Sequence, residues 1–95
     1  SIKIFSSKEK EQVSEDVLDK SSDIHDLILF NDEVNTFDWV IETLIDVCEH
    51  DPIQAEQCAM VVHYKGKCVV KSSDWETLEP LQRELSNREL TAEID

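Results

Sequence analysis

Residues 26–44 read DLILFNDEVNTFDWVIETL, and the way this stretch divides decides the fold. The run DLILF, bounded by polar residues, has the length of one buried strand. It passes directly into Asn31, Asp32 and Glu33 with no glycine to turn the chain. From Phe37 onward the period changes: Phe37, Val40, Ile41, Leu44, Ile45, Val47 and Cys48 fall at offsets 0, 3, 4, 7, 8, 10 and 11. That spacing is the apolar stripe of an amphipathic helix, and it leaves Asp38, Glu42, Asp46 and Glu49 on the wet side. Asn35 is expected to cap the helix, with Asp38 in the capping-box position. A strand therefore ends in a knot of amide and carboxylate groups just ahead of a helix.

The elements on the C-terminal side follow from their punctuation. In HDPIQAEQCAMVVHYKGK, Asp51 can cap, Pro52 sits at a first helical position where its missing N–H is not needed, and Gln54 completes the box. A second helix is expected from Pro52 to about His63, with Gly66, the single glycine of the chain, in a left-handed turn after it. KCVVK, residues 67–71, reads as a second strand. Ser73 and Glu76 form a further capping box, but Pro80 lies inside the pattern. Either the helix kinks there or a single turn at 74–78 precedes a helix that begins near Pro80. Asn87 can end it, and Leu90, Ala92 and Ile94 alternate onto one face of a last strand. The reading is an α/β fold of the α+β sandwich kind: a three-stranded antiparallel sheet packed by three helices, in the order β-α-α-β-α-β.

Residues 6–22 carry Lys, Glu, Ser and Asp with only Val13, Val17 and Leu18 as anchors, too little apolar surface to offset the entropy of ordering. Residues 1–22 are accordingly expected to be a flexible N-terminal extension, within which Ile2, Ile4 and Phe5 alternate weakly, and residues 23–95 a single small domain. No secretory signal is legible in the opening residues. Net charge is −13, and the part beyond residue 22 holds five basic and seventeen acidic residues. Such a surface repels phosphate backbones and anionic lipid, so neither nucleic acid nor a membrane is an expected partner, whereas a cationic ligand or a basic protein face is. Cys48, Cys58 and Cys68 give an odd count with no close pair, which reads as reduced thiols in a cytoplasmic chain.

Several chemistries are disfavoured. One glycine leaves no glycine-rich phosphate loop of either nucleotide kind. Cys48, His50, Cys58, His63 and Cys68 suggest zinc, but structural zinc sites use closely spaced pairs and these thiols stand ten residues apart. A Cys/His nucleophile pair lacks any specified oxyanion hole. No enzymatic activity, metal or other cofactor is therefore expected. His25 and His50 fall at element boundaries, where exposure is expected, and His63 closes the second helix, where a cation complements the dipole.

ILFNDEVNTFDWVIETL, followed at about thirty residues by AEQCAMVVHYKGKCVV, resembles the ClpS family, bacterial adaptors that deliver N-degron substrates to AAA+ Clp proteases. The motifs are the Asn-Asp-acid triplet at a strand end and the V-H-Y-x-G-K closure of the second helix. The resemblance implies a receptor for a free α-amino group followed by a bulky hydrophobic side chain, Leu, Phe, Tyr or Trp. It places Asn31, Asp32 and His63 as acceptors for the three N–H bonds of an ammonium. The side-chain pocket maps onto Asn35, Phe37, Val40, Ala59, Val62 and Leu90. By period alone Phe37, Val40, Ala59 and Val62 would be ordinary core. Phe37 and Ala59 stand where the family commonly has Met, and Phe37 is expected to keep β-branched Ile and Val out. The implied partners are N-degron proteins and the N-terminal domain of a ClpA-type or ClpC-type unfoldase, with Glu76 and Glu79 on the docking face, residues 1–22 engaging the translocation machinery, and the adaptor a monomer. The alternative is a module of this fold that docks on a Clp ATPase and modulates substrate choice without binding N-degrons.

Overall fold

The computed structural model describes residues 23–95; the expected N-terminal extension lies outside the described residues. Its elements are β1 (His25–Phe30), α1 (Phe37–Cys48), α2 (Pro52–Lys65), β2 (Lys67–Ser73), α3 (Trp75–Asn87) and β3 (Thr91–Ile94). The order β-α-α-β-α-β and the antiparallel sheet agree with the reading of the sequence. β1 lies in the middle of the sheet, in the spatial order β2-β1-β3.

Alternation in β1 explains why it is central. Leu27 and Leu29 are buried, and Ile28 and Phe30 lie half-buried on the opposite face. Leu29 pairs with Cys68 on one side and Ala92 on the other, and Leu27 faces Ile94. The buried face meets Leu44, Val47 and Cys48 of α1, Ala55 and Val62 of α2, and Leu78 and Leu85 of α3. These small and medium side chains, spaced at helical period, make one continuous core on one side of the sheet. A register shift between Leu27 and Ile28 leaves Val70 as the extra residue of a bulge. The carbonyl of Val70 accepts a hydrogen bond from His50 Nε2 at 2.7 Å.

His50 is thus buried, only 5% exposed, which corrects the expectation of a solvent-facing histidine. Adjacency to Glu49, which ends α1 in the left-handed region, turns the ring inward instead. His25 also departs from the expectation, since it begins β1, packs edge-on against Trp75 and is half-buried.

Two caps fall one residue from their expected positions. Thr36, not Asn35, caps α1, its side chain accepting from Trp39 N at 3.0 Å, because the Asn35 amide is engaged elsewhere. Asp74, not Ser73, caps α3; its carboxylate accepts from Thr77 N at 3.2 Å, and Ser73 Oγ donates to it. The side-chain bond with Thr77 leads the contacts that hold the Asp74 carboxyl below its usual 3.8. Asp51 caps α2 as expected, accepting from Gln54 N at 2.8 Å with Pro52 at the first helical position. Beyond its end, Gly66 takes φ 93° and returns its N–H to the Val62 carbonyl. Pro80 neither breaks nor restarts α3, which runs unbroken through it.

Candidate functional site

The site is built where β1 stops. Asn31 N–H donates to the Gly66 carbonyl at 2.9 Å, which joins the end of β1 to the turn that closes α2. One residue on, the Asp32 carboxylate organises the loop. Its Oδ1 accepts from Val34 N and Asn35 N, and its Oδ2 accepts from Asn35 Nδ2, each at 2.8 Å. This is an Asx turn, the device by which a short acidic side chain replaces the glycine that the loop lacks. Burial alone would raise the Asp32 pKa, but the bonds from Asn35 and Val34 together outweigh it and hold the carboxyl below its usual 3.8. Asp32 is therefore ionised at neutral pH. The second Nδ2 proton of Asn35 goes to the Glu89 carbonyl at 2.8 Å, and Trp39 Nε1 donates to the Arg88 carbonyl at 3.2 Å. The connection between α3 and β3 thus grips both the loop and the start of α1.

A cavity of 430 Å³ opens between this loop, the start of α1 and the last turns of α2. Asn31, Asp32 and Glu33 line one end, with His63 across from them on α2. Phe37 and Val40 of α1, and Ala59, Met60 and Val62 of α2, supply the apolar wall, and Asn35 and Tyr64 complete the lining. Its volume is in the range of small-ligand sites. Ala59 and Val62 are buried, whereas Phe37 is 40% exposed, as a rim residue is and a core residue is not. A small adjoining void of 20 Å³ carries the apolar surface inward to Leu29, Phe30 and Leu90.

The expected acceptors Asn31, Asp32 and His63 and the pocket residues Asn35, Phe37, Val40, Ala59 and Val62 are all brought to this one cavity. Leu90, buried in the core just ahead of β3, lines the inner void and not the main cavity. Glu76 and Glu79 stand apart from it on the exposed surface of α3, where Glu79 pairs with Arg83 at 2.7 Å. Three lining residues were not singled out in the sequence: Glu33, Met60 and Tyr64. Glu33 was within reach as the acid of the triplet. Tyr64 was within reach too, as the neighbour of His63 in the V-H-Y-x-G-K closure, whereas Met60 carries no signal beyond being a large apolar residue on a helix; their exposure, 76% and 44%, marks both out.

Two carboxylates, two amides and an imidazole line the cavity, and no Lys or Arg does among the described residues. Such an end takes a hydrogen-bond-donating cation, and the apolar end takes a hydrophobic group beside it. The thiols stand apart from this lining. Burial pushes Cys48 up to about 11, and burial with the neighbouring Cys68 thiol pushes Cys58 up to about 12, so both remain protonated at neutral pH.

The family model for the ATP-dependent Clp protease adaptor protein ClpS matches residues 20–93. The chain belongs to the ClpS family. The ClpS fold is also that of a solved structure, Agrobacterium tumefaciens ClpS2 bound to L-phenylalaninamide, with a TM-score of 0.73 and 18% sequence identity, over 79% of this chain and 96% of that one. No curated protein sequence matches. ClpS proteins are adaptors, and no helix among the described residues is long and apolar enough to cross a membrane.

Proposed function

We propose that this ClpS-family chain binds the free α-amino group and the bulky hydrophobic side chain of N-degron substrates, those with N-terminal Leu, Phe, Tyr or Trp, and delivers them to a Clp AAA+ protease. One observation carries the reading: anionic, acceptor-rich groups (Asn31, Asp32, Glu33, His63) and apolar side chains (Phe37, Val40, Ala59, Val62) line one and the same cavity. The ammonium donates to Asn31, to the carboxylate end formed by Asp32 and Glu33, and to His63, whose accepting nitrogen must be unprotonated. The side chain enters between Phe37, Val40, Ala59 and Val62. Phe37 at the rim excludes the second branch of Ile or Val. ClpS2 bound to an aromatic amino-acid amide supports this reading by analogy.

Burying one Leu or Phe side chain supplies about 1.5–3 kcal/mol and each charge-assisted hydrogen bond about 1.5–3, less the cost of association, which places affinity near micromolar. Such a complex releases its cargo readily. Residues 23–95 act as the adaptor core and residues 1–22 as the segment that engages the translocation machinery of a ClpA-type or ClpC-type unfoldase. Glu76 and Glu79 of α3 belong to the docking face, and the adaptor works as a cytoplasmic monomer. The experiment is degradation of a Leu-initiated reporter by a Clp unfoldase and peptidase with wild-type adaptor and with Asp32→Ala. Degradation should be lost while binding to the unfoldase is retained. Unchanged degradation would instead favour a module that docks without receiving N-degrons.

A further inference from the structure

Asn35 is held from two sides. Both protons of its side-chain amide are committed, one to Asp32 Oδ2 and one to the Glu89 carbonyl, each at 2.8 Å. Neither partner can donate, so the amide cannot be reversed and the positions of Nδ2 and Oδ1 are fixed by the network. Its Oδ1 accepts no hydrogen bond from the described residues and is not among the sealed, unpartnered polar atoms of the interior, which are Thr43 Oγ1 and His50 Nδ1. It is therefore an open acceptor of fixed direction, on a half-buried residue that lines both the main cavity and the inner void. Glu89 reinforces the arrangement: it holds a left-handed φ of 71°, uncommon for a glutamate, in the conformation that presents its carbonyl to Asn35.

We infer that Asn35 is a specificity-determining residue whose Oδ1 accepts the first peptide N–H of the bound N-terminus, so that the site reads a secondary or primary amide after the N-terminal residue as well as the amine before it. This deepens the adaptor reading and rests on it. The three ammonium protons already have Asn31, the carboxylate end and His63. The next donor along an N-terminal residue is the N–H two bonds beyond its α-carbon, and Asn35, which lines both the cavity that holds the acceptors and the inner apolar void, is the remaining side chain there with an uncommitted acceptor of fixed direction. The chemical class recognised is then an α-amino acid amide or peptide, in preference to the ester of the same amino acid.

Leucinamide and methyl leucinate differ in this N–H and keep the amine, the side chain and the carbonyl. Their dissociation constants, each referred to the charged amine, are to be measured with wild type and with Asn35→Ala. Wild type should prefer the amide by about tenfold, the size of one hydrogen bond in a site shielded from water. In Asn35→Ala the preference should fall to within about twofold, although both ligands weaken as the Asp32 turn loosens. A merely structural role for Asn35 would weaken both ligands and leave the ratio intact, which would overturn the inference. Equal affinity in wild type would overturn it too while sparing the adaptor reading, whereas no binding of either ligand by wild type would overturn both. Should the variant bind neither, the side-chain ¹³Cγ resonance of Asn35 in wild type decides. A shift with leucinamide and none with the ester sustains the inference, and equal shifts reject it.

Discussion

Asp32 serves two ends at once. Three of its acceptor positions hold the loop, and the charge that remains faces the cavity. Removing it takes away both the turn and part of the cation site, so a loss of binding in Asp32→Ala reflects geometry as well as charge. Left-handed residues close the two helices that wall the cavity. Gly66 and Glu49 end α2 and α1 at φ 93° and φ 59°. They predict substitutions of opposite sign. No atom lies within 4 Å of a β-carbon built on Gly66, so Gly66→Ala meets no clash and its effect is torsional, a loss of about 1–2 kcal/mol. Glu49→Gly relieves the same torsion and should gain up to about 1 kcal/mol. Urea unfolding of the two variants checks both signs; two losses of equal size would show that the cap torsions are not what these residues contribute.

At the scale of elements, α3 shows where a local rule gives way to packing. Pro80 removes one helical N–H, and its ring crowds the carbonyl of Glu76, yet Leu78 and Leu85 are fully buried on either side of it and Leu81 packs against the same core. Burial of these leucines outweighs one missing bond on an exposed face. Pro80→Ala should therefore stabilise the domain by about 1–3 kcal/mol, read as a higher urea midpoint with unchanged slope. A lower midpoint would mean that the proline is needed to direct the chain out of β2. Much of the element order was legible because each helix carries its own stop: Asp51-Pro52 and Gly66 bracket α2, and the stripe from Phe37 to Cys48 is α1. The caps at Thr36 and Asp74 were not legible, because adjacent residues compete for the role. Asn35 loses to Thr36 only through its bonds to Asp32 and Glu89, and Glu89 lies 54 residues away. His50 was misread for a similar reason, since a strand bulge at Val70 creates the carbonyl that receives it. In the site, Asn31, Asp32 and His63 were read from the resemblance to ClpS; by period alone Val62 and Ala59 were simply core.

For the whole molecule, the carboxylates and thiols bound the pH range of stability. Asp32, Asp74 and Glu84 have folded pKa values below 3.8, 3.8 and 4.5, with Glu84 held down first by its bond with Arg88. A lowered carboxyl contributes stability that is present above the unfolded value and lost as pH falls through the folded one. Cys48 and Cys58 are raised from 9.0 to about 11 and about 12, so their contribution is complete below 9.0 and lost as pH rises beyond it. The urea midpoint should be flat between roughly pH 5 and 9 and fall on both sides. A midpoint that rises on acidification below pH 4 would mean that relief of self-repulsion, at a net charge of −13, outweighs the native carboxylate bonds.

The cavity's pairing of a cation site with an apolar hollow is tested most directly by titrating labelled peptides that begin with Leu, acetyl-Leu and Ile into wild-type protein at pH 7. The free Leu peptide should bind at about micromolar concentration, and acetylation, which removes the charge and leaves buried acceptors facing an amide, should weaken it by at least about a hundredfold. Ile at the N-terminus should bind more weakly than Leu. Equal binding of the acetylated and free Leu peptides would contradict the account.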